Sequence, residues 1–307
     1  MQKKILITFL LILLVVSSGA WIFSRDSKKS VQTEKKPLVA TTIFPLYDIT
    51  KNIAGDTIDI ALILPPGAEA HSFEPSPSLL RSLQDVQVIY AIGHGLDTWT
   101  TKISESLEVK TLVVDNGVPI RKITEVTFRD GEESEEEHGT TDPHYWLVVS
   151  NAKAIASTIA IDLARRFPEF TPLFDRNLEQ YVKKLDQTDK EIRSMLVDIS
   201  SRDLITFHDA WYYFADAYDL HIAGTFEPTA GREPTPQYLA NLVEVLKNNP
   251  KTRAIYYEPQ FSTEAYQSFA NDYGLHMAEL DDIGGIPGRS SYINLMLSNA
   301  KTIRDNQ

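Results

Sequence analysis

Eight short, largely apolar runs, most of them carrying β-branched residues, four on each side of a long uninterrupted helical stretch, constrain this chain most. Residues 38–44, 58–64, 86–91 and 111–114 make the first set, and residues 204–207, 221–226, 253–257 and 275–280 the second. Runs of this length between turn formers and helical stretches read as strands. Near-continuous apolar character suits parallel strands covered on both faces by helices. Between the sets, residues 173–199 contain neither proline nor glycine, and Leu178, Tyr181, Leu185, Ile192 and Leu196 recur at helical intervals. Such a helix would span about 40 Å at 1.5 Å per residue, more than one small domain needs. An earlier helix over residues 151–166 is expected to stop near Pro168. The expected class is therefore α/β: two similar lobes with mostly parallel sheets, joined by the long helix as a shared strut. The corresponding divisions are 37–170, 171–200 and 201–307, preceded by residues 1–36.

Those first residues read as an export signal. Lys3 and Lys4 precede an apolar run over residues 5–16, broken only by Thr8, and Ser18-Gly19-Ala20 offers small residues for cleavage. Trp21-Ile22-Phe23 prolongs the apolar stretch, so an uncleaved membrane anchor is the alternative. Residues 24–36 are polar and read as a tether. The chain has no cysteine among its 307 residues, which excludes disulfides, thiolate metal sites and lipidation on cysteine. A net charge of −12 argues against a nucleic-acid partner and is compatible with attracting cations.

Four residues stand out as metal donors: His71, His144, His208 and Asp281. His71 follows Pro65-Pro66-Gly67 at the end of a predicted strand, where open α/β folds hold ligands. His144 follows the Asp142-Pro143 turn, and Asp142 is positioned to orient its ring. Ser150 or Asn151 is expected to cap the next helix. His208 ends another strand and precedes a helix expected to begin near Asp209, with Trp211, Tyr212, Tyr213 and Phe214 dense enough to wall a dry pocket. Asp281 also follows a strand; its neighbour Asp282 would point the other way in extended chain. The interval from His71 to His144 equals the interval from His208 to Asp281. Two lobes donating two ligands each would produce such a spacing, as would chance. Three imidazoles and a carboxylate form a closed tetrahedral set that suits Zn²⁺.

The other histidines read differently. His94 lies between two glycines and reads as a turn residue, His221 and His276 lie near strand starts, and His138 belongs to an acidic run over 129–138. Six carboxylates in that run repel one another and prefer solvent, so it reads as a solvated loop, or alternatively as a weak collector of cations upstream of His144.

With these contexts in hand, the chain resembles the metal-binding receptor subunits of zinc/manganese ABC transporters. The resemblance covers nearly everything from about Leu38 and rests on PGAEAHSFEPSPS, DPHYWL, FHDAWYYFADAY, REPTPQYL, YYEPQFS and ELDDIGG, in that order. It implies two lobes on a rigid helical backbone, metal ligands at His71, His144, His208 and Asp281, and a monomeric receptor serving a membrane permease with its own ATPase. Manganese members often carry Glu at the third position; His208 adds nitrogen and favours Zn²⁺ over Mn²⁺. Zinc members commonly carry a His-rich acidic loop before the second ligand, whereas residues 129–138 hold one histidine.

The function expected is extracytoplasmic capture of a divalent transition metal, Zn²⁺ first and Mn²⁺ as the alternative. The chain lacks a GxxxxGK[ST] phosphate loop, so an ATPase must come from a partner. A zinc hydrolase, with Glu74, Glu233 or Glu258 as general base, is the reading from another class, without HExxH or a nucleophile elbow to support it. Surface adhesion is a third reading, but it leaves the four donors unexplained.

Overall fold

The structure is a computed structural model that describes residues 35–123, 141–226, 235–261 and 263–307. Residues 1–34 of the expected signal or anchor and tether, the acidic run 129–138 and Glu233 lie outside the described residues. Strands β1 (Leu38–Thr41), β2 (Asp59–Leu62), β3 (Val86–Ala91) and β4 (Thr111–Val113) form one parallel sheet in the order β2-β1-β3-β4. Strands β5 (Asp203–Thr206), β6 (His221–Thr225), β7 (Ala254–Tyr257) and β8 (His276–Glu279) form a second, in the equivalent order β6-β5-β7-β8. All eight expected strands are present, and the chain is a two-lobe α/β protein.

Nine α-helices surround the sheets among the described residues: α1 (Phe44–Ala54), α2 (Pro77–Ser82), α3 (Thr100–Leu107), α4 (Val149–Arg166), α5 (Thr171–Leu196), α6 (Tyr212–Ala217), α7 (Pro236–Asn248), α8 (Glu264–Asp272) and α9 (Tyr292–Asn306). Two of the boundaries that differ from the sequence reading are those of β1 and α6. Strand β1 stops at Thr41 instead of residue 44, because Pro45 sits in the first turn of α1, where a missing N–H costs nothing. That helix then buries Leu46, Ile49 and Ile53 on one face. After β5, helix α6 starts at Tyr212 rather than near Asp209, leaving His208 in an irregular turn.

Helix α5 has 26 residues, or about 39 Å of rise. Phe174, Tyr181, Leu185, Thr188, Ile192 and Leu196 line its buried stripe. It packs against α1 and α4 from the first half of the chain and against α9 from the second. Each large apolar side chain on such a stripe contributes about 2 kcal/mol by leaving water. The strut is therefore bonded to both halves through ordinary core packing.

The equal sequence spacing of the candidate donors does not reflect the repeat. The strands of the two sheets begin at Leu38, Asp59, Val86 and Thr111 and at Asp203, His221, Ala254 and His276. Every equivalent pair of strands is therefore farther apart in sequence than His71 is from His208 or His144 from Asp281. His71 follows the second strand of its sheet, whereas His208 follows the first of its own. Only His144 and Asp281 follow equivalent strands, the fourth in each sheet.

Candidate metal centre

His71 lies on the exposed loop after β2. Its backbone is fixed although its ring is accessible. The Glu69 carboxylate accepts the His71 N–H at 2.7 Å and the Ser72 N–H at 2.6 Å. Immediately before His71, the Ala70 carbonyl accepts the Trp99 indole N–H at 2.9 Å, and Phe73 packs on the Trp99 ring. The loop is thus anchored on both sides of the histidine.

His144 is 3% exposed and opens a turn of 3-10 helix, Tyr145–Leu147. Asp142 Oδ1 accepts both the His144 backbone N–H and its Nδ1–H, each at 2.9 Å. This fixes the tautomer and directs Nε2 away, as in carboxylate–histidine–metal arrangements. His144 Nε2 is buried and has no hydrogen-bond partner among the described residues. Burial, reinforced by the neighbouring His208, pushes the His144 pKa down to about 3, so its lone pair is free at neutral pH. Burial also raises Asp142 to about 7, against the opposing His144 N–H and Arg121 charge. The expected cap at Ser150 or Asn151 is absent: Val148 occupies that position, and the Asn151 amide instead donates to the Tyr145 carbonyl at 2.9 Å.

His208 is also buried, and its carbonyl accepts the Thr206 hydroxyl at 3.0 Å. Its Nδ1 lies 3.1 Å from Glu258 Oε1. Glu258 follows β7, is fully buried, and accepts the Trp211 indole N–H at 2.7 Å. Burial works to lower the His208 pKa, but the adjacent Glu258 charge and contact outweigh it and raise the value to about 10. Sequence reasoning treated Glu258 only as a possible base. Its position directly after a strand was the available signal that it belongs beside the donors.

The three imidazoles converge although the segments after β2, β4 and β5 deliver them separately. Ring centroids are 5.5 Å apart for His71–His144, 5.3 Å for His144–His208 and 6.5 Å for His71–His208. One ring nitrogen from each lies within 4.8 Å of the other two. Three nitrogen donors this close can share one small cation.

Asp281 does not join that group of three. Its Oδ1 accepts the Ile283 and Gly284 N–H groups at 3.0 and 2.8 Å, and its Oδ2 faces Arg289 Nη1 at 3.1 Å. Gly284 has φ +74, and a side chain there would press on Phe44 and Leu295, so glycine is needed for this close return. Asp282 is buried beside it; its carboxylate accepts the Gln260 amide at 2.6 Å, and burial raises its pKa to about 7. Asp282 also interacts electrostatically with His208. The Arg289 contact was not anticipated from sequence.

The remaining described histidines are engaged elsewhere. His94 adopts φ 53 and contacts Thr141 Oγ1 at 3.1 Å and Asp115 Oδ2 at 2.9 Å. His221 and His276 open β6 and β8 and contact Asp203 and Asn306.

Known proteins resemble this chain over most of its length. Residues 39–306 match the family described as "ZnuA: Zinc-uptake complex component A periplasmic". A "Metal ABC transporter substrate-binding lipoprotein" of Lactococcus lactis is 30% identical over 280 residues, covering 89% of this chain and 86% of the relative. The "Zinc-binding protein AdcA" of Streptococcus pyogenes is 27% identical over 322 residues, covering 99% of this chain but 61% of the relative. The chain thus spans about three-fifths of the length of that streptococcal relative. A solved structure described as "Crystal structure of ZnuA" superposes with a TM-score of 0.76 at 26% identity, covering 89% of this chain and 99% of that one. With the match running from the first strand to the last helix, the chain belongs to the family of the periplasmic zinc-uptake component A.

Proposed function

We propose that this protein is an extracytoplasmic receptor that captures Zn²⁺ between its lobes, 37–170 and 201–307, and delivers it to an ABC-transporter permease. The observation that carries the reading is the convergence of His71, His144 and His208, with the buried Nε2 of His144 left without a partner among the described residues. Burial of an unpaired polar atom is costly unless a ligand completes it. The zinc named for the family and for the streptococcal relative supports Zn²⁺ over Mn²⁺ as the cargo, as does the nitrogen-rich donor set. The permease and its ATPase are partners inferred from the transporter named for the lactococcal relative, and the receptor acts as a monomer. It is a receptor rather than a hydrolase: Glu258 is bound to Trp211 and beside His208, which suits holding a ligand rather than abstracting a proton.

Asp281 is the fourth donor in this reading. Its carboxylate would exchange Arg289 for the metal, while its two backbone N–H contacts keep it oriented. Asp281→Ala is expected to weaken zinc binding by about tenfold, less than loss of a histidine, because a carboxylate drawn partly toward Arg289 is a poorer donor. Binding unchanged within a factor of two, measured by competition with a chelator, would remove Asp281 from the set.

Capture has a definite proton signature. His144 is already neutral and contributes no pH dependence above about pH 4. His208 is protonated at neutral pH, because its pKa is raised to about 10, so coordination must release its proton. Affinity should therefore rise with pH across the neutral range, with one proton released from His208 per zinc. Calorimetry on metal-free protein in two buffers of different ionisation heat should give one tight site per chain and a buffer-dependent enthalpy. No tight site, or two equal ones, would end the receptor reading; a buffer-independent enthalpy would end the role given to His208.

A further inference from the structure

The segment bearing His144 is gripped by the segment bearing His208 through one hydroxyl. Tyr213, in the first turn of α6, follows His208 closely in sequence and is 7% exposed. Its hydroxyl accepts the Arg121 backbone N–H at 2.6 Å and donates to the Asp142 carbonyl at 3.3 Å. The same two residues of the first lobe are joined directly, the Asp142 N–H donating to the Arg121 carbonyl at 3.0 Å, and Lys122 pairs with Thr141 beside them. Tyr213 therefore crosses from the second lobe and binds both sides of a short antiparallel pairing. Asp142, in turn, holds the His144 ring.

We propose that Tyr213 is a positioning residue that ties the two histidine-bearing lobes together and sets how long the metal stays bound. The inference rests on the receptor reading given above. His144 and His208 come from different lobes with ring centroids 5.3 Å apart, so a metal held by both is released when these lobes part. That motion must also break the Tyr213 bonds. Neither bond touches the metal, so removing the hydroxyl lowers the barrier to release without removing a donor. Arg121 adds a second crossing contact, its guanidinium lying 4.2 Å from the Tyr212 ring centre and 3.4 Å from the Asp216 carboxylate. That ion pair is exposed, with side chains 34% and 72% accessible, and such pairs are weak in water.

The test uses Tyr213→Phe in the full chain, which keeps the buried ring and removes only the hydroxyl. Zinc dissociation into excess chelator should accelerate about tenfold, the scale of a lost buried hydrogen bond, while the association rate changes less than twofold. In metal-free protein, hydrogen exchange at the Asp142 and His144 amides should rise. Asp216→Ala should alter dissociation less than twofold. A Tyr213→Phe dissociation rate within twofold of the parent, or an equal effect from Asp216→Ala, overturns the proposal. A parent protein that binds no zinc overturns the receptor reading, and then unchanged exchange at Asp142 and His144 overturns the positioning role as well, whereas raised exchange upholds the tie between lobes.

Discussion

Replacing His144 by alanine is expected to abolish tight zinc binding, a loss of more than about a hundredfold. Outer partners of metal ligands alone are worth about ten- to a hundredfold, and a direct donor is worth more. Of the proposed donors, His144 is the least open to substitution. It is buried, its tautomer is set by Asp142, and it is neutral without any proton having to leave. The variant should still fold. Asp142 already has a pKa raised to about 7, so once the imidazole is gone it can take up a proton instead of remaining a buried charge. Asp142→Asn should lose about tenfold, since the amide oxygen still accepts but the charge is gone. Competition titration against a chelator of known affinity reads both variants. A His144→Ala protein within tenfold of the parent would show that His144 is not a donor.

Trp146→Ala should destabilise the metal-free protein by about 3–5 kcal/mol, as expected for a large side chain cut from a packed core. Trp146 is fully buried, and both its ring N–H and its backbone carbonyl are engaged. The indole N–H donates to the Asp282 carbonyl at 2.7 Å, and the carbonyl accepts the Tyr292 hydroxyl at 2.7 Å. Truncation empties a cavity and strands the Asp282 carbonyl, so transfer and hydrogen-bond losses add. Denaturant unfolding followed by circular dichroism measures the difference. A loss below about 1 kcal/mol would mean that this part of the core collapses around the gap.

Most of the fold was legible because strands and the long helix carry strong local signals. The β-branched runs at β1, β3 and β5 mark parallel strands whatever packs on them, and a stretch as long as α5 with no breaker past its first turn can hardly avoid being a helix. What escaped was set by context. Phe44 suits a strand by composition, and only Pro45 betrays the helix start. The three histidines were legible as candidate donors on loops after strands, yet their convergence is a tertiary fact. The matched intervals between donors were misleading: the structural repeat is longer than the donor spacing, and loop lengths within each half decide where a donor falls. Charges that tune the donors were harder still. Glu258 beside His208 is separated from its partner by a chain length over which sequence carries no pairing signal, and nothing in the loop after β8 marks Arg289 as the partner of Asp281.

Helix α9 has a consequence for how the molecule comes into being. It packs along α5 and reaches α1; the Tyr292 N–H donates to Asp48 in the first half, and the Tyr292 hydroxyl reaches Trp146. Helix α9 thus completes a core whose other walls are synthesised well before it. Contacts that distant in sequence are slow to form and cannot form at all on a nascent chain that still lacks them. The first lobe therefore waits, with the apolar faces of α1 and α5 uncovered, until α9 has been made. That delay favours a chain still pliable while it is exported, with the packed two-lobe shape acquired only afterwards.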